Sequence, residues 1–387
     1  MKKIDFYKHQ VDKKSIINQI SKVLKNSIIT SGEIGEKVEK QIAKFFKVKY
    51  CLLTNSWTNG AIATLLALQI KKGDEIIIPA MTFVATANVV ELVGAKPVFV
   101  DVNPDTLLID EKEILKKITK KTKAIIPVHL YGVMCNIKKL KETLKKNKKK
   151  IIIIEDAAHC FEGKYNGDKV GKHSDISIFS FYATKNITCA EGGAIITNNR
   201  LLFEKIKQTR THGINKNFIK RFYQKKYSHW DMEILGTKAN LPDLLACMLP
   251  SQIKNVYKSQ KKRKNAYQFY NSILKNLDIK IPTIESGCSS AYHLYSIHVK
   301  PRIRDKLLNY LNSKNISCAI NYRSISDLTY YKKKYKLKSK EFKNSKYWGD
   351  GTISLPFYPD IKKKDQEKVA EILSDGLKKF KILNRNI

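Results

Sequence analysis

Long hydrophobic runs are missing from this chain. Nowhere do eighteen apolar residues follow one another, and the start, Met1-Lys-Lys-Ile-Asp-Phe, has neither the apolar stretch nor the small-residue cleavage site of a secretory signal. No membrane insertion is expected, and a cytoplasmic protein is. Also missing is any C-x-x-C pair: the seven cysteines, at 51, 135, 160, 189, 247, 288 and 318, are odd in number and sit mostly among apolar neighbours. That argues against a disulfide framework or a metal site and predicts free, buried thiols. Arginine is scarce, with eight residues in a Lys plus Arg total of 73. Phosphate-reading surfaces favour the arginine fork. The formal charge of +38 is therefore read as solvated lysine on helix faces, as in Lys138-Lys-Leu-Lys-Glu-Thr-Leu-Lys-Lys146, with no nucleic-acid partner. Internal repeats and long low-complexity linkers are absent as well.

What is present is alternation. Apolar runs of strand length at Tyr50–Thr54, Glu75–Pro79, Lys96–Val100, Ala124–Val128, Ile151–Asp156, Ile176–Ser180 and Ala194–Thr197 alternate with helical spacing at Thr58–Leu68, Phe83–Leu92 and Ile137–Leu144. This predicts an α/β fold around a mostly parallel seven-stranded sheet. After about residue 250 the texture changes to a long basic helix, Pro250–Leu274, a strand in Tyr292–Val299, a helix at Arg304–Ser313, a strand in Ile316–Tyr322 and a last helix, Lys364–Phe380. At 387 residues the chain exceeds one ordinary domain. We expect a large domain over residues 1–249 and a smaller α+β domain over 250–387, with the N-terminal segment able to pack on the latter.

One lysine stands out by its surroundings. Ser180-Phe-Tyr-Ala-Thr-Lys185 follows an apolar strand and precedes the turn Gly192-Gly193. Upstream, the apolar run Ile151–Ile154 delivers Glu155-Asp156-Ala-Ala-His159. Pyridoxal 5′-phosphate (PLP) makes four demands that these segments can meet. Its aldehyde needs an amine, and Lys185 is the candidate. Its pyridine nitrogen needs an acidic partner, for which Asp156 is anchored on a buried strand. Its phosphate needs backbone donors at a helix start, which Thr54-Asn-Ser56-Trp57-Thr58-Asn-Gly60 can supply. Its ring needs an aromatic cover, and Phe83 lies on a strand-to-helix turn. Taken singly each residue has a plainer reading: Asp156 as a helix cap, Ser180 as a turn residue, Phe83 as core. All four in order along one α/β chain favour the cofactor.

These segments resemble the sugar aminotransferases of the DegT/DnrJ/StrS family, within fold-type I of PLP enzymes. The resemblance covers about Thr30 to Pro359 and rests on Gly73-Asp-Glu-Ile-Ile-Ile-Pro79, Gly94-Ala-Lys-Pro-Val-Phe-Val-Asp101, Val128-His-Leu-Tyr-Gly132, Glu155-Asp-Ala-Ala-His159 and Phe179-Ser-Phe-Tyr-Ala-Thr-Lys185. It implies an aspartate-aminotransferase-like fold, Lys185 as the Schiff-base lysine and Asp156 at the pyridine nitrogen. It further implies His159 near the ring's phenolic oxygen, Trp57, Thr58 and Ser180 on the phosphate, and Phe83 on the ring. A homodimer is implied too, with Gly236-Thr-Lys238-Ala-Asn240 completing the neighbouring subunit's phosphate site. Substrates would be L-glutamate and a nucleotide-diphosphate keto sugar, with Tyr322 and Arg323 in the sugar loop and the product used in surface-glycan assembly.

Two departures from the family pattern stand out: Lys238 where asparagine is common, and Ser326 where histidine is. His159 after Asp-Ala-Ala is common among C4 enzymes of the family, so a 4-keto-6-deoxyhexose aminated at C4 is expected, with C3 amination as the alternative. A related dehydratase branch replaces the lysine by histidine, and Lys185 argues against it. A catalytically silent regulator would not need Lys185 and Asp156. The lone His293 reads as structural.

Overall fold

The computed structural model describes residues 2–26, 28–214 and 229–382. Its large sheet has seven strands: β1 (Tyr50–Thr54), β2 (Glu75–Pro79), β3 (Lys96–Val100), β4 (Thr122–Ile125), β5 (Ile152–Asp156), β6 (Ile176–Ser180) and β7 (Gly193–Thr197). Their order is β1-β7-β6-β5-β4-β2-β3. All neighbours run parallel except β7, which is antiparallel to both β1 and β6. The β-branched runs explain the sheet: a strand buried on both faces has no polar side to show, so Ile76-Ile-Ile78 and Ile152-Ile-Ile154 read as unbroken apolar sequence. The period of two then sorts them. Ile76 and Ile78 join Trp57, Leu65 and Val90 in one core, while Ile77 joins Ile125, Ile153 and Leu140 on the opposite face.

A second, smaller core gathers around β8 (Tyr295–His298) and β9 (Thr352–Leu355), an antiparallel pair. Helices Pro301–Ser313 and Lys363–Ile382 cover it, burying Leu307, Leu311 and Leu373 against Tyr295 and Ile353. Ile4 packs in the same cluster and its backbone bridges Ile316. One rod joins the two cores. Helix Leu249–Leu274 places Ile253 and Val256 against the large sheet and Tyr270 and Leu274 in the smaller cluster.

The structure departs from the sequence expectations in several places. Ile316–Tyr322 is not a strand: its strand-type pairing is confined to the isolated bridges Ile4↔Ile316 and Ala319↔Ser354. The partner of β8 is instead Thr352–Leu355, four residues too short to stand out. Thr122–Ile125 starts earlier and stops sooner than expected, because Val128 meets Asp156 only as a single bridge before the chain turns into Leu130–Gly132. Helices Lys13–Leu24, Glu33–Phe46, Arg200–Thr209, Thr329–Tyr335 and Lys343–Gly351 were not anticipated. All seven cysteines are free thiols, five buried and Cys288 and Cys318 half-buried. No helix among the described residues is long and apolar enough to cross a membrane.

Candidate active site

The carboxyl ends of the parallel strands carry the turns that matter, as expected of an open α/β sheet. Register does the first part of the assembly. Gly193 of β7 pairs with Thr54 of β1 on one side and Ser180 of β6 on the other. The polar turn after Thr54 and the hydroxyl of Ser180 are therefore neighbours across one glycine. A Cβ on Gly193 would lie 2.7 Å from the Phe179 carbonyl oxygen and 2.9 Å from the Ser56 carbonyl carbon, so only glycine allows this approach.

Beyond the turn, helix Trp57–Ala67 begins with Ser56 as its cap, the Ser56 hydroxyl accepting the Asn59 N–H at 3.0 Å. The amides of Trp57 and Thr58, in the first turn, have no intrahelical acceptor by construction, and the helix dipole adds positive potential there. Trp57 is buried, Thr58 and Ser180 are half-buried. Such a cradle could hold a phosphate.

Asp156 ends β5, buried beside the cradle. Its Oδ2 accepts from the Thr86 hydroxyl at 3.0 Å and its Oδ1 from the Ala158 N–H at 3.1 Å; Thr86 is itself bonded to Thr82. Burial pushes the carboxyl up, and these donors together with Lys185 and His129 pull it back only in part. A carboxyl so placed gains from a cationic partner. The preceding Glu155 points to the other face, as strand alternation requires. There it binds His129 at 2.6 Å, the Gly171 N–H at 2.8 Å and Ser177 at 3.0 Å. Burial alone would raise Glu155; His129, with Ser174 and the Gly171 N–H, holds it below the usual value. Its part is structural.

Lys185 sits half-buried in the loop between β6 and β7, with its amine desolvated. Desolvation brings the amine down to about 8, against the opposing pull of Asp156. An amine near neutrality is both nucleophile and usable base. His159 is buried between Tyr131 and Tyr322: its Nδ1 accepts the Tyr131 N–H and its Nε2 meets the Tyr322 phenol, each at 3.3 Å. Burial and nearby Lys185 hold its imidazole well below its ordinary value, so the ring is neutral. Phe83 is 56 % exposed, its ring 5.6 Å from that of Tyr322. An aromatic of that size left open beside a polar site has a free face for a ring. Amide cradle, amine, buried carboxyl and open aromatic fit a phosphorylated pyridine aldehyde.

The sequence profile of the DegT/DnrJ/EryC1/StrS aminotransferase family matches residues 10–374. The chain belongs to this family. A UDP-4-amino-4-deoxy-L-arabinose–oxoglutarate aminotransferase of Shewanella sediminis is 33% identical over 371 residues, 93% of this chain and 94% of that protein. Among solved structures, Spr1654 of Streptococcus pneumoniae superimposes with a TM-score of 0.91 at 25% identity in its apo form, covering 99% of this chain and 100% of that one, and is also known in PLP and PMP forms. PseC of Helicobacter pylori, an aminotransferase involved in the biosynthesis of pseudoaminic acid, gives 0.89 at 27% identity, covering 98% of this chain and 100% of that one.

The remaining expected residues of this aminotransferase divide. Lys238 is exposed, while its carbonyl accepts from Asn55 at 3.3 Å and the next carbonyl, of Ala239, accepts the Asn55 N–H at 2.8 Å. The segment thus sits against the chain's own turn after Thr54 with the Lys238 side chain outward. Asn240 is buried and turned away, its amide donating to Ser31 at 2.5 Å. Tyr322 reaches His159; Arg323, next to it, is exposed. Ser326 is fully buried and bonded to Ser324 at 2.8 Å, while the Ile325 N–H donates to the Ala80 carbonyl at 2.7 Å. It anchors the loop from inside. Sequence reasoning missed Thr86, Tyr131 and Asn186. It also left His293 without a partner, and that ring lies 4.3 Å from the ring of His159, tilted by 32°, and bonds Asn186 at 3.0 Å. Thr86 lies one helical turn beyond Phe83, and Tyr131 lies in the Val128–Gly132 motif, so both were within segments already marked.

Proposed function

We propose that this aminotransferase moves the amino group of L-glutamate to a nucleotide-linked keto sugar, a 4-keto-6-deoxyhexose aminated at C4, using PLP. The observation that carries the reading is the amine of Lys185, brought to about 8 beside the buried Asp156. Bound PLP supplies an aldehyde carbon that captures the donor's amine and a protonated ring that accepts the electron pair left at Cα. Lys185 Nζ takes the proton from the glutamate Cα and later returns one to the sugar carbon. Asp156 holds a proton at the ring nitrogen, with Thr86 and Ala158 keeping its oxygens in place. Trp57 and Thr58 amides and the Ser180 hydroxyl bind the phosphate, and Phe83 excludes water from one ring face. Arg323 and Lys238 offer charge to a nucleotide diphosphate by charge-assisted hydrogen bonds.

His159 after Asp156-Ala-Ala supports C4. So does the Shewanella relative, whose name specifies a UDP sugar, position 4 and oxoglutarate. Its sugar is a pentose, which makes a UDP-4-keto-pentose the first competitor to include. We read the unit as a cytoplasmic homodimer in which the outward Lys238 reaches the neighbouring phosphate site, with domains at 1–249 and 250–387 and a product destined for surface glycans. The test supplies glutamate with thymidine- and uridine-diphosphate 4-keto-6-deoxyglucose, the guanosine-diphosphate mannose analogue, the pentose and a 3-keto isomer, and locates the new amine by NMR. Amination at C4 of one hexose is expected. Amination only at C3, or equal use of the free sugar, overturns the substrate. Co-expressing Lys185→Ala with a Lys238–Asn240 variant tests the dimer: mixed dimers regain one intact site if it is shared.

A further inference from the structure

Tyr131 lies in the motif Val128-His-Leu-Tyr-Gly132, to which no role has yet been given. It is buried in the turn Leu130–Gly132 with φ 56°. That conformation is uncommon for an aromatic residue and persists only where neighbours fix it. They do: the Tyr131 carbonyl accepts the His293 N–H at 3.0 Å, and the Gly132 carbonyl accepts the Ala291 N–H at 2.9 Å. Gly132 has φ 94°, and a Cβ there would lie 2.9 Å from the backbone nitrogens of Tyr292 and His293, so the turn is clamped on both sides.

From this clamp Tyr131 extends two groups in two directions. Its N–H donates to His159 Nδ1 at 3.3 Å. Its phenol donates to the carbonyl of Asn321. The next residue, Tyr322, meets His159 Nε2 at 3.3 Å. The path closes on itself: imidazole, Tyr131 amide, Tyr131 phenol, Asn321, Tyr322, imidazole. Because Nδ1 is an acceptor in a neutral ring, the single imidazole proton resides on Nε2 and is donated to the Tyr322 oxygen. Burial raises the Tyr131 phenol well above its usual range, so it stays a donor at any working pH.

We propose that Tyr131 is a positioning residue of this active site: its amide sets the proton of His159 on Nε2, and its phenol registers the loop bearing Tyr322 and Arg323 against that imidazole. One residue of the turn after β4 thereby couples the cofactor side to the acceptor loop. The part concerning the acceptor rests on the proposed keto-sugar reaction; the part concerning proton and loop does not.

Three measurements on the full chain decide it. In the apo protein, 15N NMR of labelled His159 at pH 7.5 should show the Nε2–H tautomer; an Nδ1–H tautomer or an imidazolium overturns the proposal without any variant. Next, Tyr131→Phe removes only the hydroxyl and should speed amide exchange across residues 319–328 about tenfold, the size of one lost buried hydrogen bond. Unchanged exchange there overturns it. Finally, with PLP bound, Tyr131→Phe and Tyr322→Phe should each raise the keto-sugar KM about tenfold, and the double variant no further. Effects that multiply overturn the coupling. An enzyme that aminates no keto sugar at all sinks the acceptor reading, while tautomer and exchange still judge Tyr131.

Discussion

The ends of β5 and β6 and the loop 320–327 face the same site but are built in opposite ways. At the strand ends, Asp156, Ser180 and the turn after Thr54 are placed by ladder register, across Gly193 and against Ile178, before any side chain contributes. The loop has no ladder of its own. It is held at single points: the Asn321 carbonyl on Tyr131, the Ile325 N–H on Ala80, and the Ser324–Ser326 pair inside. A group with fixed chemistry is best served by rigid strand ends, and a variable acceptor by a loop whose contacts can be exchanged. If that contrast is right, variants at the strand ends should damage turnover for every acceptor, and variants in the loop should change acceptor affinity or loop stability.

The largest effect falls on the amine. Lys185→Ala removes the proposed nucleophile and base together, and steady turnover should drop at least about a thousandfold, measured as glutamate-dependent amination of any accepted sugar. Turnover near the wild-type level in that variant would remove the central claim. Asp156→Asn keeps the shape and loses the charge proposed to hold the ring proton. Turnover should fall by about two orders of magnitude, roughly 2.7 kcal/mol of barrier, with circular dichroism and thermal midpoint little changed. An effect below twofold means that Asp156 does not serve the ring nitrogen.

A subtler strand-end variant is Thr86→Val. It withdraws one donor from Asp156 Oδ2 without emptying the space, and a buried hydrogen bond to a charged group is worth about 1.5 kcal/mol or more. The turnover number should fall about tenfold with the acceptor KM nearly constant. A change in KM alone would place Thr86 with the loop instead and blur the comparison.

The same contrast explains what the sequence could reveal. Strands such as Ile76–Ile78 are legible because burial on two faces demands an unbroken apolar run, and Lys185 and Asp156 are legible because they stand at fixed offsets from such runs. The Thr86–Asp156 bond joins residues 70 apart and the Tyr131–Asn321 bond joins residues 190 apart. No local pattern encodes those meetings. Ile316–Tyr322 misled because its apolar residues suggest a strand, whereas pairing needs a partner of matching length, and β9 gives it only Ser354. Ser326 shows a related limit: a position in a loop motif says nothing of the side chain's direction, which here is inward.

In the loop, Arg323→Ala should raise the acceptor KM several-fold and flatten its dependence on salt, since an exposed cation acts through a screened field. Ser326→Ala should do neither. It removes one partner of the buried Ser324–Ser326 bond, so a loss of about 1 kcal/mol in unfolding free energy is expected, with KM within twofold. A large KM effect from Ser326→Ala would give that buried residue a part in acceptor binding.

The smallest effect concerns the apo protein and the cost of desolvating Lys185. Its folded-state amine lies near 8, whereas an unfolded lysine titrates near 10.4. Below pH 8 the amine is charged in both states, and the folded protein carries the full penalty of keeping that charge out of water. Above about 10.4 it is neutral in both states and the penalty is gone. Stability relative to Lys185→Ala should therefore rise for the wild type as pH increases from 8 to 10.4, by on the order of 1 kcal/mol once partial exposure is allowed for. Paired denaturant titrations of the two apo proteins at pH 7.5 and 10 measure the difference directly, and the other lysines cancel between them. A flat difference would mean that the amine is fully hydrated before cofactor binds, and its reactivity would then have to come from the cofactor alone.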